Sequence, residues 1–272
     1  EEDDKKCIIL TAYSLKLIAG QRIFRVMKLL IDIGNTNTSI AIIKAAKIRK
    51  RYFIHTSRKQ VEPATLKRLL GADLRKIKKI VVANVVPKFF SVIKKSLKTI
   101  APGIPVLVIG RDIKVPMKNK YRKPEEVGQD RLVVSYAASL LRGTPVLVVD
   151  FGTAVTFDFV NKKGEYEGGL IFPGLRLGFG ALVNNAALLP EIEIGLTSGL
   201  IGRDTRGSMN KGIIYGYAAM CDGIIRLFRK KYGRSLKVVA TGGDAELVAR
   251  YTRYIKTIYP DLIFTGLDLL AG

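Results

Sequence analysis

A single histidine, His55, and two cysteines, Cys7 and Cys221, leave little of what metal centres, disulfide frameworks or imidazole catalysis are built from. Two cysteines with no ligand spacing around them exclude a disulfide scaffold, and they suit a reducing cytoplasm. His55 lies in a basic, strand-like stretch and reads as a surface residue, so a general base is expected to be a carboxylate. No apolar run approaches the roughly 20 residues that span a bilayer, so no membrane partner is expected. The leading end, Glu1-Glu2-Asp3-Asp4, is acidic and no small-residue cleavage site follows, unlike a secretory signal.

Acidic residues are also scarce, 23 against 46 Lys and Arg, for a net charge of +23. The imbalance is local. Residues 44–131 hold 24 basic and 6 acidic residues, or +18, whereas 132–272 hold 16 and 12, or +4. A basic half attracts polyanions such as nucleotides or nucleic acid. Stacking aromatics are barely interleaved with these charges, which favours an ordinary solvated Lys/Arg surface over a nucleic-acid interface.

What the chain does contain is apolar: 48% hydrophobic residues over 272 positions, enough for one large or two medium domains. The pattern centres on Leu29-Leu30-Ile31-Asp32-Ile33-Gly34-Asn35-Thr36-Asn37-Thr38-Ser39-Ile40-Ala41-Ile42-Ile43. A strand ends on a carboxylate, turns through Gly-Asn-Thr-Asn and returns as a second strand. Gly34 permits close approach of a ligand, and the turn donors can surround phosphate oxygens. Asp32 can hold a Mg²⁺ carried on that phosphate, or it can simply cap the turn.

The same grammar recurs in Val146-Leu147-Val148-Val149-Asp150-Phe151-Gly152-Thr153-Ala154-Val155-Thr156. Two such units predict a duplicated α/β architecture with a nucleotide cleft between the halves, Asp32 and Asp150 facing it from opposite walls. The expected division is an extension at 1–26 of doubtful role, one α/β domain at 27–140 and a second at 141–272. Met27 is the expected natural start.

Between the two hairpins, strands are expected at 48–56, 80–86 and 106–109, and helices at 63–76 and 87–99. Such alternation argues for α/β. After a Lys/Arg-rich loop comes Gly128-Gln129-Asp130-Arg131, opening an apolar helix at 132–141. Asp130 suits a helix N-terminus, whereas Arg131 opposes the dipole there and is the better suspect as a clamp for an anionic group. Gly168, Gly169 and Gly174 crowd a short stretch before the next helix, either for backbone approach to a ligand or for a tight corner. A long helix follows Gly202-Arg203-Asp204-Thr205 and runs to about residue 231. Its Gly207, Gly212, Gly216 and Gly223 allow close packing in the core or at a subunit interface. Thr241-Gly242-Gly243 joins a strand to a helix, as a nucleotide contact or a plain junction.

Taken together and in order, these motifs resemble the type III pantothenate kinases of the acetate kinase/sugar kinase/Hsp70/actin superfamily. The resemblance rests on Asp32-Ile33-Gly34-Asn35-Thr36, Gly128-Gln129-Asp130-Arg131, Asp150-Phe151-Gly152-Thr153-Ala154, Gly168 to Gly174, Gly202 to Thr205, and Thr241-Gly242-Gly243. It implies duplicated ribonuclease H-like (actin-like ATPase) domains and ATP-dependent phosphorylation of pantothenate, the first step towards coenzyme A. By the same resemblance Asp32, Ile33, Gly34, Asn35, Thr36, Asn37, Thr38, Ser39 and Thr153 would bind ATP, with Asp32 near Mg²⁺. Asp130 would accept the substrate's hydroxyl proton. Tyr121, Gly128, Gln129, Asp130, Arg131 and Thr205 would line the pantothenate site. Asp150 would hold a monovalent cation, K⁺ or ammonium, and the protein would be a homodimer. The family usually carries alanine where Gln129 stands. The same fold also resembles Bvg accessory factor regulators, which predicts salt-sensitive polyanion binding through 44–131. A kinase of the superfamily with another small substrate is a third reading. No Gly-x-x-x-x-Gly-Lys-Ser/Thr stretch is present, which excludes a P-loop kinase.

Overall fold

The computed structural model describes residues 8–9, 26–56 and 61–272. The reading of 1–26 as an extension therefore lies outside the described residues, apart from Val26 and a two-residue strand, β1 (Ile8–Ile9). The chain divides into two compact units: the first comprises 26–141 with 261–272, the second 142–260 with β1.

In the first unit, β2 (Met27–Ile33), β3 (Asn37–Lys44) and β4 (Lys47–His55) form an antiparallel meander. β5 (Ile77–Asn84) then pairs parallel with β2, and β6 (Val106–Val108) parallel with β5, giving the order β4-β3-β2-β5-β6. Both faces of β2 are covered, so it reads as a continuous apolar run instead of an alternation. Leu29, Ile31 and Ile33 pack with Leu66, Leu70, Ile93 and Leu97 of helices α1 (Pro63–Leu70) and α2 (Pro87–Ile100). Leu30 of the opposite face packs with Val133 of α3 (Gln129–Arg142).

The helix expected over 63–76 stops earlier. Gly71, at φ +54°, leaves the α conformation and residues 71–76 continue as a tighter 3₁₀ turn into β5.

The second unit repeats the topology. β7 (Val146–Phe151), β8 (Ala154–Val160) and β9 (Tyr166–Pro173) form the meander. α4 (Leu175–Asn185) and α5 (Thr205–Tyr232) follow; β10 (Lys237–Thr241) then pairs parallel with β7, and α6 (Ala245–Ala249) leads to β11 (Thr257–Ile258). The order is β9-β8-β7-β10-β11-β1. The core of this unit joins Leu147, Val149 and Phe151 of β7 to Ala218, Cys221 and Ile225 of α5.

The last helix, α7 (Leu262–Leu270), was expected in the second half; it packs instead on the first sheet. Phe264 and Leu267 join the cluster around Leu30, and Gly266 lies so close to α3 that a methyl there would sit 2.7 Å from Val133 O. Lys28 of β2, 1% exposed, completes the attachment: its Nζ donates to Asp268 Oδ1 at 2.9 Å. Lys79 of β5 donates to Ala271 O at 2.7 Å.

Candidate functional site

In the first unit, Asp32 is the last residue but one of β2, on the sheet face that also carries Lys28 and Leu30, and it remains partly exposed. The turn after it is closed by Gly34 N donating to Asn37 O at 3.1 Å. A side chain at 34 would crowd that carbonyl, its Cβ falling 2.9 Å away. Asn35, Thr36 and Asn37 are exposed at the tip, and Ser39 stands cross-strand from Asp32.

Ile33 and Thr38 are placed differently from their neighbours. Both side chains are fully buried, and Thr38 Oγ1 shares a 3.1 Å hydrogen bond with Thr56 Oγ1. Thr38 therefore supports the turn from beneath instead of lining its open side. Thr56, which sequence reasoning missed, donates its hydroxyl to Gly34 O at 2.8 Å and its N–H to Thr36 O at 2.8 Å. Only the end of a strand placed beside the tip reveals that role.

The beginning of α3 hangs on the same framework. Val85, just past β5, donates its N–H to Ile33 O at 3.1 Å. Its Cγ1 also lies 3.6 Å from where a Cβ of Gly128 would stand. Asp130 Oδ1 would be only 2.4 Å from that Cβ, so the carboxylate occupies space that any larger residue at 128 would claim. The same oxygen accepts from Arg131 N at 2.8 Å, and both side chains are partly buried.

Gln129 folds against Gly110. A Cβ at 110 would meet the Gln129 Cδ at 2.7 Å, so the departure at 129 is matched by a glycine 19 positions earlier. Tyr121, half-buried, precedes this segment, with its N–H bonded to Asn119 Oδ1 at 3.0 Å.

In the second unit Asp150 is the last residue but one of β7, cross-strand from Thr156 on one side and Thr241 on the other. Gly242, at φ +93°, passes so close that a Cβ would lie 2.5 Å from both Asp150 Oδ1 and Phe151 O. The exposed Gly152–Thr153 turn is closed by Gly152 N donating to Ala154 O at 3.1 Å, and Gly174 N donates to Thr153 O at 3.0 Å.

Thr205 is the exposed first residue of α5. The cap is its neighbour Asp204, whose Oδ1 accepts from Gly207 N at 2.7 Å. Cys221 is no nucleophile: burial, with Asp222 nearby, pushes its thiol up to about 12. Among the described residues, no group of three or more His, Cys, Asp or Glu could hold a metal ion unaided. Nor is any described helix long and apolar enough to cross a membrane.

Chemically, each unit offers a partly exposed carboxylate beside a glycine turn rich in donors. The first adds a second carboxylate at the start of α3. That combination suits binding a phosphate with its cations and accepting a proton from a hydroxyl.

A sequence model of a family described as type III pantothenate kinase matches residues 28–227. Among solved structures, a Campylobacter jejuni protein described as a Baf family transcriptional activator superposes with a TM-score of 0.56 at 21% identity, over 89% of this chain and 96% of that one. The Acidaminococcus fermentans (R)-2-hydroxyglutaryl-CoA dehydratase component A gives 0.50 at 15% identity, over 90% and 96%. These likenesses establish the fold: duplicated ribonuclease H-like halves.

Proposed function

The chain belongs to the type III pantothenate kinase family, and we propose that it transfers the γ-phosphoryl group of ATP to the primary hydroxyl of pantothenate. The observation that carries the reading lies in the first unit. Asp130 is held over Gly128, Gly128 meets Val85, and Val85 is bonded to the end of the strand that carries Asp32. Proton acceptor and phosphate turn are thus built on one rigid frame, as positioning catalysis requires.

In this mechanism Asn35, Thr36 and Asn37 bind phosphate oxygens at the first turn, and Thr153 contacts nucleotide at the second. Asp130 accepts the hydroxyl proton, while Gln129 and Arg131 orient the substrate with Tyr121 and Thr205. Gly34 lets the turn close against Asn37 O, and the partly exposed Asp32 carboxylate fits a Mg²⁺ shared with phosphate. Asp150 Oδ1, approached by Gly242 and partly exposed, fits a monovalent cation as one ligand. Bound cations supply charge neutralisation for the transferring phosphoryl group. The reaction, the first step towards coenzyme A, would take place in the cytoplasm.

The decisive assay is ATP-dependent phosphorylation of pantothenate with Mg²⁺, in K⁺ and in Na⁺. Turnover with pantothenate supports the reading, and a folded protein that binds ATP without turning it over points to another small hydroxyl substrate. The parent protein is expected to need K⁺ or ammonium, and Asp150→Ala to lose that dependence with most of its activity. Equal rates in K⁺ and Na⁺ would remove the role of Asp150. Absence of ATP binding together with tight, salt-sensitive DNA binding would favour a regulator acting through the basic first unit.

A homodimer is supported by what α5 and the preceding loop leave uncovered. Gly212, Gly216 and Gly223 face open space, since a Cβ at each would meet nothing within 4 Å. Leu188, Leu200 and Ile201 are 93%, 75% and 79% exposed. Polar bonds pin that loop: Asn210 bonds both N and O of Gly195, and Tyr251 Oη both N and O of Thr197. Exposed large apolar side chains and an open helix face suit an interface, here with a second copy. Replacing Leu200 and Ile201 by Asp is expected to halve the sedimenting mass; a parent that already sediments as a monomer would overturn the dimer.

A further inference from the structure

The geometry points to Tyr217 of α5 as a positioning residue for nucleotide, acting through the Gly152–Thr153 turn. The inference rests on the reading above that this turn contacts ATP. It concerns a residue that none of the motifs contains and that no step of the mechanism uses.

The Tyr217 hydroxyl donates a bifurcated hydrogen bond to the carbonyl oxygens of Pro173, at 3.0 Å, and Gly174, at 3.2 Å. Gly174 N in turn donates to Thr153 O at 3.0 Å. A continuous relay thus runs from the long helix, through the corner that opens α4, to the backbone of the exposed turn.

The surrounding residues are shaped to let this relay form. A Cβ on Gly174 would lie 2.4 Å from both Gly152 O and Thr153 O, so corner and turn are in the closest contact that backbone allows. A Cβ on Gly178, one turn into α4, would lie 2.7 Å from the Tyr217 hydroxyl, so this glycine leaves the space that the hydroxyl fills. Gly178 N bonds Gly174 O at 2.8 Å, which fixes the carbonyl that Tyr217 also grips. The Tyr217 ring packs against the core around Leu147 and Phe151, which holds the hydroxyl in place. Burial raises the phenol above its ordinary value, so it remains a donor at neutral pH.

The consequence is mechanical. The Gly152–Thr153 turn is exposed, and the Gly174 bond to Thr153 O is one of the contacts that fix its backbone. Tyr217 ties it to a 28-residue helix whose first residue is Thr205. The 12 residue steps from Thr205 to Tyr217 span about 18 Å of helix, which links the turn to the proposed substrate-side threonine.

Tyr217→Phe removes the hydroxyl and keeps the ring in the core. Calorimetric titration of the full-length protein with Mg²⁺–ADP and with a non-hydrolysable ATP analogue is expected to show about three- to tenfold weaker binding, as for the loss of a hydrogen bond. KM for ATP should rise in parallel, with kcat at saturating ATP within about twofold of the parent. Gly178→Ala tests the same contact independently: it favours the helix by propensity yet crowds the hydroxyl, so binding should weaken without loss of thermal stability. Thr153→Ala serves as the control for the turn itself. If Thr153→Ala weakens binding while Tyr217→Phe and Gly178→Ala bind as the parent does, the positioning role is overturned and the nucleotide reading stands. If the parent binds neither nucleotide, both are overturned.

Discussion

Asp130→Asn is expected to lower turnover by about 10²–10⁴ while leaving nucleotide affinity within a few-fold of the parent. The substitution keeps the shape of the side chain and removes its ability to take a proton. Asp130 Oδ1 already accepts from Arg131 N at 2.8 Å, and an asparagine oxygen can retain that bond, so the start of α3 should be preserved. Gly128→Ala provides the geometric counterpart. Its Cβ would fall 2.4 Å from Asp130 Oδ1, displacing a carboxylate that is chemically intact. Single-turnover rates and equilibrium ATP binding separate the two effects. Both variants should bind ATP and transfer slowly. Parent-like turnover by Asp130→Asn would assign the proton acceptor elsewhere.

The second large effect concerns stability and the attachment of α7. Asp268→Ala leaves the Lys28 ammonium, 1% exposed, without its carboxylate partner at 2.9 Å. Removing one member of a buried pair typically costs about 3–5 kcal/mol. The carbonyl oxygens of Asp268 and Gly272, which Lys28 also contacts, keep the expected loss near the lower end, about 3 kcal/mol. At this chain length that corresponds to a melting temperature lower by about 10 °C. The double variant Lys28→Met with Asp268→Leu should recover most of the loss, because an apolar pair avoids the cost of dehydrating two ions. Melting curves of the parent, the single variants and the double variant measure the coupling directly. A single Asp268→Ala variant that melts with the parent would show that the pair contributes nothing.

Much of this protein was legible in one dimension. Strand-Asp-x-Gly followed by a Thr-bearing turn, written twice, predicted two related units, and the sheets repeat one order: a meander of three strands, then parallel strands added beside the first. The signal was strong because apolar runs, turn residues and helix-breaking glycines act on their immediate neighbours. Gly71 shows the limit of such reasoning. The apolar spacing of 63–76 continues across it, but the backbone conformation at a single residue ends the α-helix.

The remainder depended on contacts between residues far apart along the chain. Nothing near Lys28 announces that it will be buried, since its partner lies 240 residues away on a helix that returns to the first sheet. The role of Thr56 exists only because β4 ends beside the tip of the preceding hairpin. Gln129 looks like an isolated departure until Gly110 is found beneath it. The sequence by itself thus determined the elements, their duplication and the residues capable of the chemistry. Tertiary structure decided which of them are held, and by what, because a hydrogen bond or a close glycine contact depends on separation in space.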